Sequence, residues 1–94
     1  QNVLVDILTR KTGVDSREAM DIARVISLVR PTPVAPHVSC STRTALDIAQ
    51  SVVDGLPLRH ALEAVMVDGT PADHRRELTD LLNAKVGLVS EAWR

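Results

Sequence analysis

Apolar residues recur every three or four positions along most of the chain, a spacing that places them on one face of an α-helix. The first such stretch predicts a helix over Asn2–Lys11. Gly13 follows it and is a natural stop, because glycine readily adopts the left-handed conformation that ends many helices. The apolar positions of this helix are Val3, Leu4, Ile7 and Leu8.

A second helix is predicted to begin at Asp15, where Asp15 and Glu18 have the spacing of a capping box with aspartate in the serine role. Its apolar residues fall on one stripe, so the helix should pack along much of its length. These residues are Ala19, Ile22, Ala23, Ile26 and Val29.

Residues 31–40 contain three prolines within six positions, Pro31, Pro33 and Pro36. Proline lacks the backbone N–H that a helix needs and restricts the residue before it, so this segment is predicted to be an extended connection. Val38 is expected in that connection as a short β-like segment without a sheet.

The third helix is predicted to start with Ser41 or Ser39 as its cap and to continue to Asp54, with Gly55 at its end. Its side chains are expected to point inward at Ala45, Leu46, Ile48, Ala49, Val52 and Val53.

Two further helices complete the pattern. Pro57 suits the first turn of the fourth helix, which forms a tight αα-hairpin with the third and ends at Gly69. Thr70-Pro71-Ala72-Asp73 has the form of a capping box that starts the fifth helix. The expected apolar stripes are Leu58, Ala61, Leu62 and Val65 in the fourth helix, and Leu78, Leu81, Leu82 and Val86 in the fifth.

Composition supports an all-α fold. The 94 residues are 45% hydrophobic but include a single aromatic residue, Trp93, whereas sheets are usually rich in aromatic residues. Since there is no internal repeat, we predict one domain over residues 1–94, a small bundle of about five helices with a tail at 87–94. A chain of this length buries only a little over ~60% of its unfolded surface, so its core is modest.

Charge, hydropathy and cysteine usage argue against several classes of function and location. The net charge is −1 and the charges form no runs, which argues against a nucleic-acid binder. A helix-turn-helix built on residues 41–67 would lack a basic recognition helix, since the segment 58–68 that would serve as that helix offers only Arg59 and His60 as polar donors. No apolar stretch approaches the ~20 residues of a membrane span, and no signal peptide is visible. Cys40 is the sole cysteine, which fits a reducing, cytoplasmic location.

The residues also argue against metal or nucleophilic chemistry within the chain. His37, His60 and His74 lie far apart, and the His60–Glu63 spacing is common by chance, so no metal site is expected. A nucleophilic Cys40 would need His37 as its base and Asp47 as the orienting group. These three residues lie too close along the chain for their side chains to meet, so we expect no catalytic residue here.

Arg43 is the candidate binding residue, because it directly follows Ser41-Thr42 in the first turn of the third helix. Backbone N–H groups at a helix start attract anions, whereas a cation there is mildly unfavourable unless an anion neutralises it. Two interpretations remain open: a solvated surface arginine, or a phosphate contact. Arg59 has the same ambiguity, with an interhelix or subunit contact favoured, while Arg75, Arg76 and Glu77 are predicted to form a solvated face.

Short motifs along nearly the whole chain resemble the C-terminal lid of MoxR-class AAA+ ATPases, in particular the NorQ/CbbQ group and the gas-vesicle protein GvpN. The family has a similar Ser-Thr or Leu-Arg helix start, a Gly-Leu-Pro turn followed by Arg and Ala, and an acidic segment after the next helix. The matching segments are Ile7–Asp15, Leu28–Arg30, Ser41–Arg43, Gly55–Ala61 and Val67–Asp73.

The resemblance implies that Arg43 is a sensor-2-like arginine that reaches an ATP phosphate, with Ser41 and Thr42 beside it at the nucleotide. It also implies a parent ATPase, a hexamer that remodels or activates a target protein, often with a partner carrying a von Willebrand factor A domain. The chain has no Gly-x-x-x-x-Gly-Lys-Ser/Thr loop and no Walker B strand, so by itself it should not hydrolyse ATP. Mg²⁺ would belong to the AAA+ core domain.

The alternative hypothesis is a stand-alone helical module that binds another protein and has no catalytic activity. It follows from the amphipathic helices and from the missing catalytic set.

Overall fold

The structure is a computed structural model that describes residues 2–33, 36 and 41–85. These residues form a helical bundle and contain no strand, which confirms the all-α prediction. The helices are α1 (Asn2–Thr12), α2 (Ser16–Val29), α3 (Thr42–Val53), α4 (Leu58–Leu62), which continues as a π-helical turn (Glu63–Val67), and α5 (Ala72–Lys85).

Helix α1 ends where the sequence predicts. Gly13 has a φ of 78° and its N–H donates to the Thr9 carbonyl at 3.0 Å, the bond that closes a helix with a left-handed residue. The apolar face of α1 is only partly buried, because Leu8 is fully buried whereas Val3 is 72% exposed. Helix α1 therefore packs against α2 and α3 mainly through its second half.

Helix α2 contributes more buried residues to the core than α3 does. The predicted stripe is confirmed, and Val25 is buried in addition. Asp15 is the N-cap as predicted, but its side chain makes no capping hydrogen bond, so the helix start depends on packing more than on the predicted capping box. The buried residues are Ala19, Ile22, Ala23, Val25, Ile26 and Val29.

A Schellman motif ends α3. The N–H of Leu56 donates to the Ser51 carbonyl at 3.0 Å, and the N–H of Gly55 donates to Val52 at 3.1 Å. Gly55 has a φ of 109°, a region that residues with a Cβ rarely occupy. The chain therefore reverses directly into α4, as the predicted αα-hairpin requires. Val53 was expected to point inward, but it is 44% exposed because it lies next to this reversal.

The fourth helix reaches Val67, just before the predicted stop at Gly69, but it changes its winding. After Leu62 the chain forms a π-helical turn, in which the N–H of Asp68 donates five residues back to Glu63 at 2.9 Å. The wider turn brings Met66 into the core, 1% exposed, while Val65 is only partly buried. The predicted inward position at Val65 thus shifts by one residue.

Helix α5 lies against α2 and the π-helical turn. Leu78 and Leu82 are fully buried and Leu81 is partly buried, as the spacing predicts. The predicted capping box differs from the structure: Thr70 donates its hydroxyl backward to the Met66 carbonyl at 2.7 Å, and the helix begins at Ala72.

Parts of two predicted segments lie outside the described residues. Of the proline-rich connection at 31–40, the structure describes 31–33 and 36, and Thr32 closes the end of α2 with a hydroxyl bond to the Val29 carbonyl at 2.6 Å. The β-like segment at Val38, the apolar position Val86 and the tail at 87–94 are not among the described residues. Within the described ranges no helix combines the length and apolar character needed to cross a bilayer.

The left-handed conformation of Gly55 yields a testable prediction. Gly55→Ala should lower the free energy of unfolding by about 1 kcal/mol, since a Cβ strains this backbone although nothing lies within 4 Å of it. Gly55→Asn should lower it less, because asparagine tolerates this region better. Urea unfolding followed by circular dichroism measures both, and equal stability of the alanine variant and the wild type would contradict the prediction.

Candidate functional site

Ser41 caps the start of α3. Its backbone is extended, with φ −80° and ψ 167°, and its Oγ accepts a hydrogen bond from the Thr44 N–H at 3.2 Å. Its carbonyl accepts the first helical bond from Ala45 at 3.1 Å. The structure therefore assigns the cap to Ser41, while the alternative, Ser39, lies outside the described residues.

Thr44 supports this cap from the inside. The residue is only 6% exposed, and its hydroxyl lies 3.2 Å from the Ser41 hydroxyl. Behind it, Ala45 and Ile48 are fully buried against the rest of the bundle. The first turn of α3 is thus fixed both by hydrogen bonds and by core packing.

Arg43 is exposed on the opposite side of the same turn. Asp47 and Gln50 follow it at intervals of four and three residues and are exposed too, so these three positions define the solvent face of α3. Within the described part of the chain, the Arg43 guanidinium has no hydrogen-bond or ion-pair partner. A surface pair with Asp47 one turn away would contribute only ~0.2–0.5 kcal/mol, so it would not compete strongly with a bound anion.

The electrostatics at this helix start favour an anion. The first turn of α3 contains no acidic residue, so nothing in that turn balances the positive end of the helix dipole. Arg43 adds a full positive charge at the same end. A negatively charged ligand would offset both the positive end of the helix dipole and the charge of Arg43. The planar guanidinium is suited to two parallel hydrogen bonds with phosphate or carboxylate.

An open groove borders the site. It has a volume of about 240 Å³ and runs from the apolar faces of α1 and α2 to the N-terminus of α3. Arg30, which caps the C-terminal end of α2, lines the groove together with Thr42. Leu4, Ile7, Ala23 and Ile26 provide the apolar walls. Sequence reasoning did not identify Arg30 as a site residue, because only the fold brings it near Thr42.

Two of the other arginines identified in the sequence, Arg59 and Arg75, have partners among the described residues. Arg59 was expected at an interhelix or subunit contact, but its Nε lies 3.3 Å from Oε1 of Glu63, one turn along the same helical segment. The predicted solvated face is confirmed, since Arg75, Arg76 and Glu77 are exposed. Arg75 in addition donates to the carbonyls of Thr70 at 2.8 Å and Asp68 at 3.2 Å.

The remaining candidates do not assemble into a second site in the described part of the chain. His74 lies 3.8 Å from Glu77, His60 is exposed, and no group of three or more metal-ligating side chains occurs there. His37 and Cys40, considered with Asp47 for nucleophilic chemistry, lie outside the described residues. Asp47 itself is exposed.

Comparisons with protein-family models, curated proteins and solved structures find no match to this chain.

The Ser41 cap can be tested directly. Ser41→Ala should lower the free energy of unfolding by about 1 kcal/mol, because the Thr44 N–H loses its acceptor. Ser41→Asp should retain most of the stability, since aspartate caps about as well as serine. Denaturant titrations of the two variants measure the difference, and indistinguishable midpoints for all three proteins would show that the cap contributes nothing.

Proposed function

We propose that the chain is the helical lid of a MoxR-type AAA+ ATPase and that Arg43 contacts a phosphate of bound ATP. The observation that carries this proposal is the placement of Arg43: it is exposed in the first turn of a serine-capped helix, with no partner in the described part of the chain. The all-helical bundle and the motif resemblance support the same interpretation.

The contact would combine two attractions. The N-terminal N–H groups of α3 favour negative charge, and the guanidinium of Arg43 can donate two parallel hydrogen bonds to phosphate oxygens. Thr42 is exposed at the rim of the groove, so its hydroxyl lies on the same helix end. Ser41 accepts from Thr44 and therefore contributes by holding the turn in place.

The chemistry of hydrolysis would come from other parts of the parent protein. A core domain would hold the triphosphate and Mg²⁺, and this chain would close over it and add the charge of Arg43. Such a cation can stabilise bound ATP and can couple hydrolysis to lid movement. In this proposal the lid contacts the core and neighbouring subunits of a hexamer that remodels a target protein, with a von Willebrand factor A-domain protein as partner.

A stand-alone interaction module is the second candidate. It is favoured by two exposed apolar side chains near the α3–α4 turn, Val53 at 44% and Leu56 at 41% exposure. The coding sequence upstream of Gln1 discriminates between the two functions. A P-loop domain encoded there favours the ATPase lid, and its absence favours the module.

The phosphate contact predicts a loss of ATP turnover. In the complete protein, Arg43→Ala should lower kcat at least about tenfold, since a donor aimed at developing phosphate charge is removed. Arg43→Lys should retain part of the activity because it keeps the charge without the planar fork. Steady-state ATPase assays measure both variants.

Arg24→Ala is the matched control, because Arg24 is also an exposed helical arginine but lies on α2 and does not line the groove that borders the α3 start. The ATP turnover of the Arg24→Ala variant should equal that of the wild type. Circular dichroism should show the same helix content in all variants. Wild-type turnover in Arg43→Ala would refute the proposed role.

A further inference from the structure

The junction between the π-helical turn and α5 is held by an unusual set of contacts. The π-helical turn ends at Val67, and residues 68–70 connect it to Pro71 and α5. Two carbonyls of this connection, those of Asp68 and Thr70, accept hydrogen bonds from Arg75. We call these two bonds the Arg75 clasp.

The clasp links α5 to the connection at 68–70 that precedes it. Arg75 lies in the first turn of α5, where its charge is unfavourable with respect to its own helix dipole. Its Nε lies 2.8 Å from the Thr70 oxygen and its Nη2 lies 3.2 Å from the Asp68 oxygen. Hydrogen bonds from a charged donor are roughly twice as strong as neutral ones, so the favourable interaction of Arg75 lies across the junction.

The acceptor side of the clasp is rigid. Thr70 is 1% exposed and donates its hydroxyl to the Met66 carbonyl at 2.7 Å. At Gly69 an added Cβ would lie 2.9 Å from the Val65 carbonyl, so the connection packs backbone against backbone. The two carbonyls that Arg75 contacts are therefore held in fixed positions.

Apart from the clasp, the packing of α5 on the core comes from Leu78, Leu82 and the partly buried Leu81. In its described side chains, Leu78 and Leu82 are the fully buried apolar residues, while Asp73, Arg76 and Asp80 are exposed. Helices α1, α2 and α3 instead pack on one another. Segments with few buried apolar contacts open at lower free energy than the core.

We propose that α5 is a separately opening segment of the bundle and that the Arg75 clasp sets how often it opens. Opening would uncover Leu78 and Leu82 together with the apolar residues they cover, while α1–α3 stay packed. The clasp would then control the exposure of an apolar surface that the closed bundle hides. This inference concerns the chain itself and does not depend on the ATPase proposal.

Hydrogen exchange of backbone amides under native conditions tests it. In Arg75→Ala, exchange of the amides at 76–85 should accelerate about tenfold or more, the change expected for losing hydrogen bonds to a charged group. Amides of α1, α2 and α3 should exchange as in the wild type. Arg75→Lys should give an intermediate acceleration, because its ammonium cannot form the same two-pronged contact.

Arg76→Ala is the matched control. It removes the same charge from the next position of α5, where the exposed arginine has no hydrogen bond or ion pair with a described residue. In the Arg76→Ala variant the backbone amides of α5 should exchange at the wild-type rate. Unaltered exchange of α5 in Arg75→Ala would overturn the proposal, as would an equal acceleration in all helices, since α5 would then open only with the whole bundle. Loss of the fold in both Arg75 variants would overturn it for the same reason.

Discussion

The structure depends on the burial of one aliphatic stripe on α2, where α1, α2 and α3 pack on one another. This stripe contains two alanines, Ala19 and Ala23, and α3 presents Ala45 and Ala49 to the core. Small side chains let helices approach closely, while Ile22 and its larger neighbours are fully buried beside them. Full burial of each large side chain contributes about 1.5–3 kcal/mol. Because no aromatic residue occurs in the described core, many such small contributions must combine.

This packing also determines where the candidate binding residue lies. Ala45, Ile48 and Ala49 can face the core only if α3 is rotated so that Arg43 faces solvent. The Ser41 cap then fixes where the first turn begins. The direction of the guanidinium is therefore a consequence of core burial on the other side of the helix. A domain built in this way can offer a cation to a ligand held by another domain without using it for its own stability.

Features that depend on neighbouring residues were predictable from the sequence. A local signal in residue type or spacing predicted the cap of α3, the ends of α1 and α3, and the buried face of α2. These signals are Ser41, Gly13, Gly55 and the apolar stripe of α2. The π-helical turn was not predictable, because no residue in Glu63–Val67 requires five-residue bonding and the shift to Met66 follows from packing. The clasp was missed for a similar reason: a long side chain reaching backward over a connection leaves no periodic pattern. Arg30 was not predicted to line the groove, because only the tertiary structure brings it near Thr42.

Arg43 and Arg75 occupy comparable positions, each in the first turn of its helix, yet the fold treats them differently. For Arg75 the connection at 68–70 supplies two carbonyl acceptors, so its charge has partners within the chain. For Arg43 the described part of the chain supplies no such acceptor. A cation at a helix start is unfavourable by itself, and the Arg75 clasp shows how this fold can satisfy one. The two arginines therefore differ in their surroundings, because Arg75 is bonded across its junction whereas Arg43 has no acceptor among the described residues.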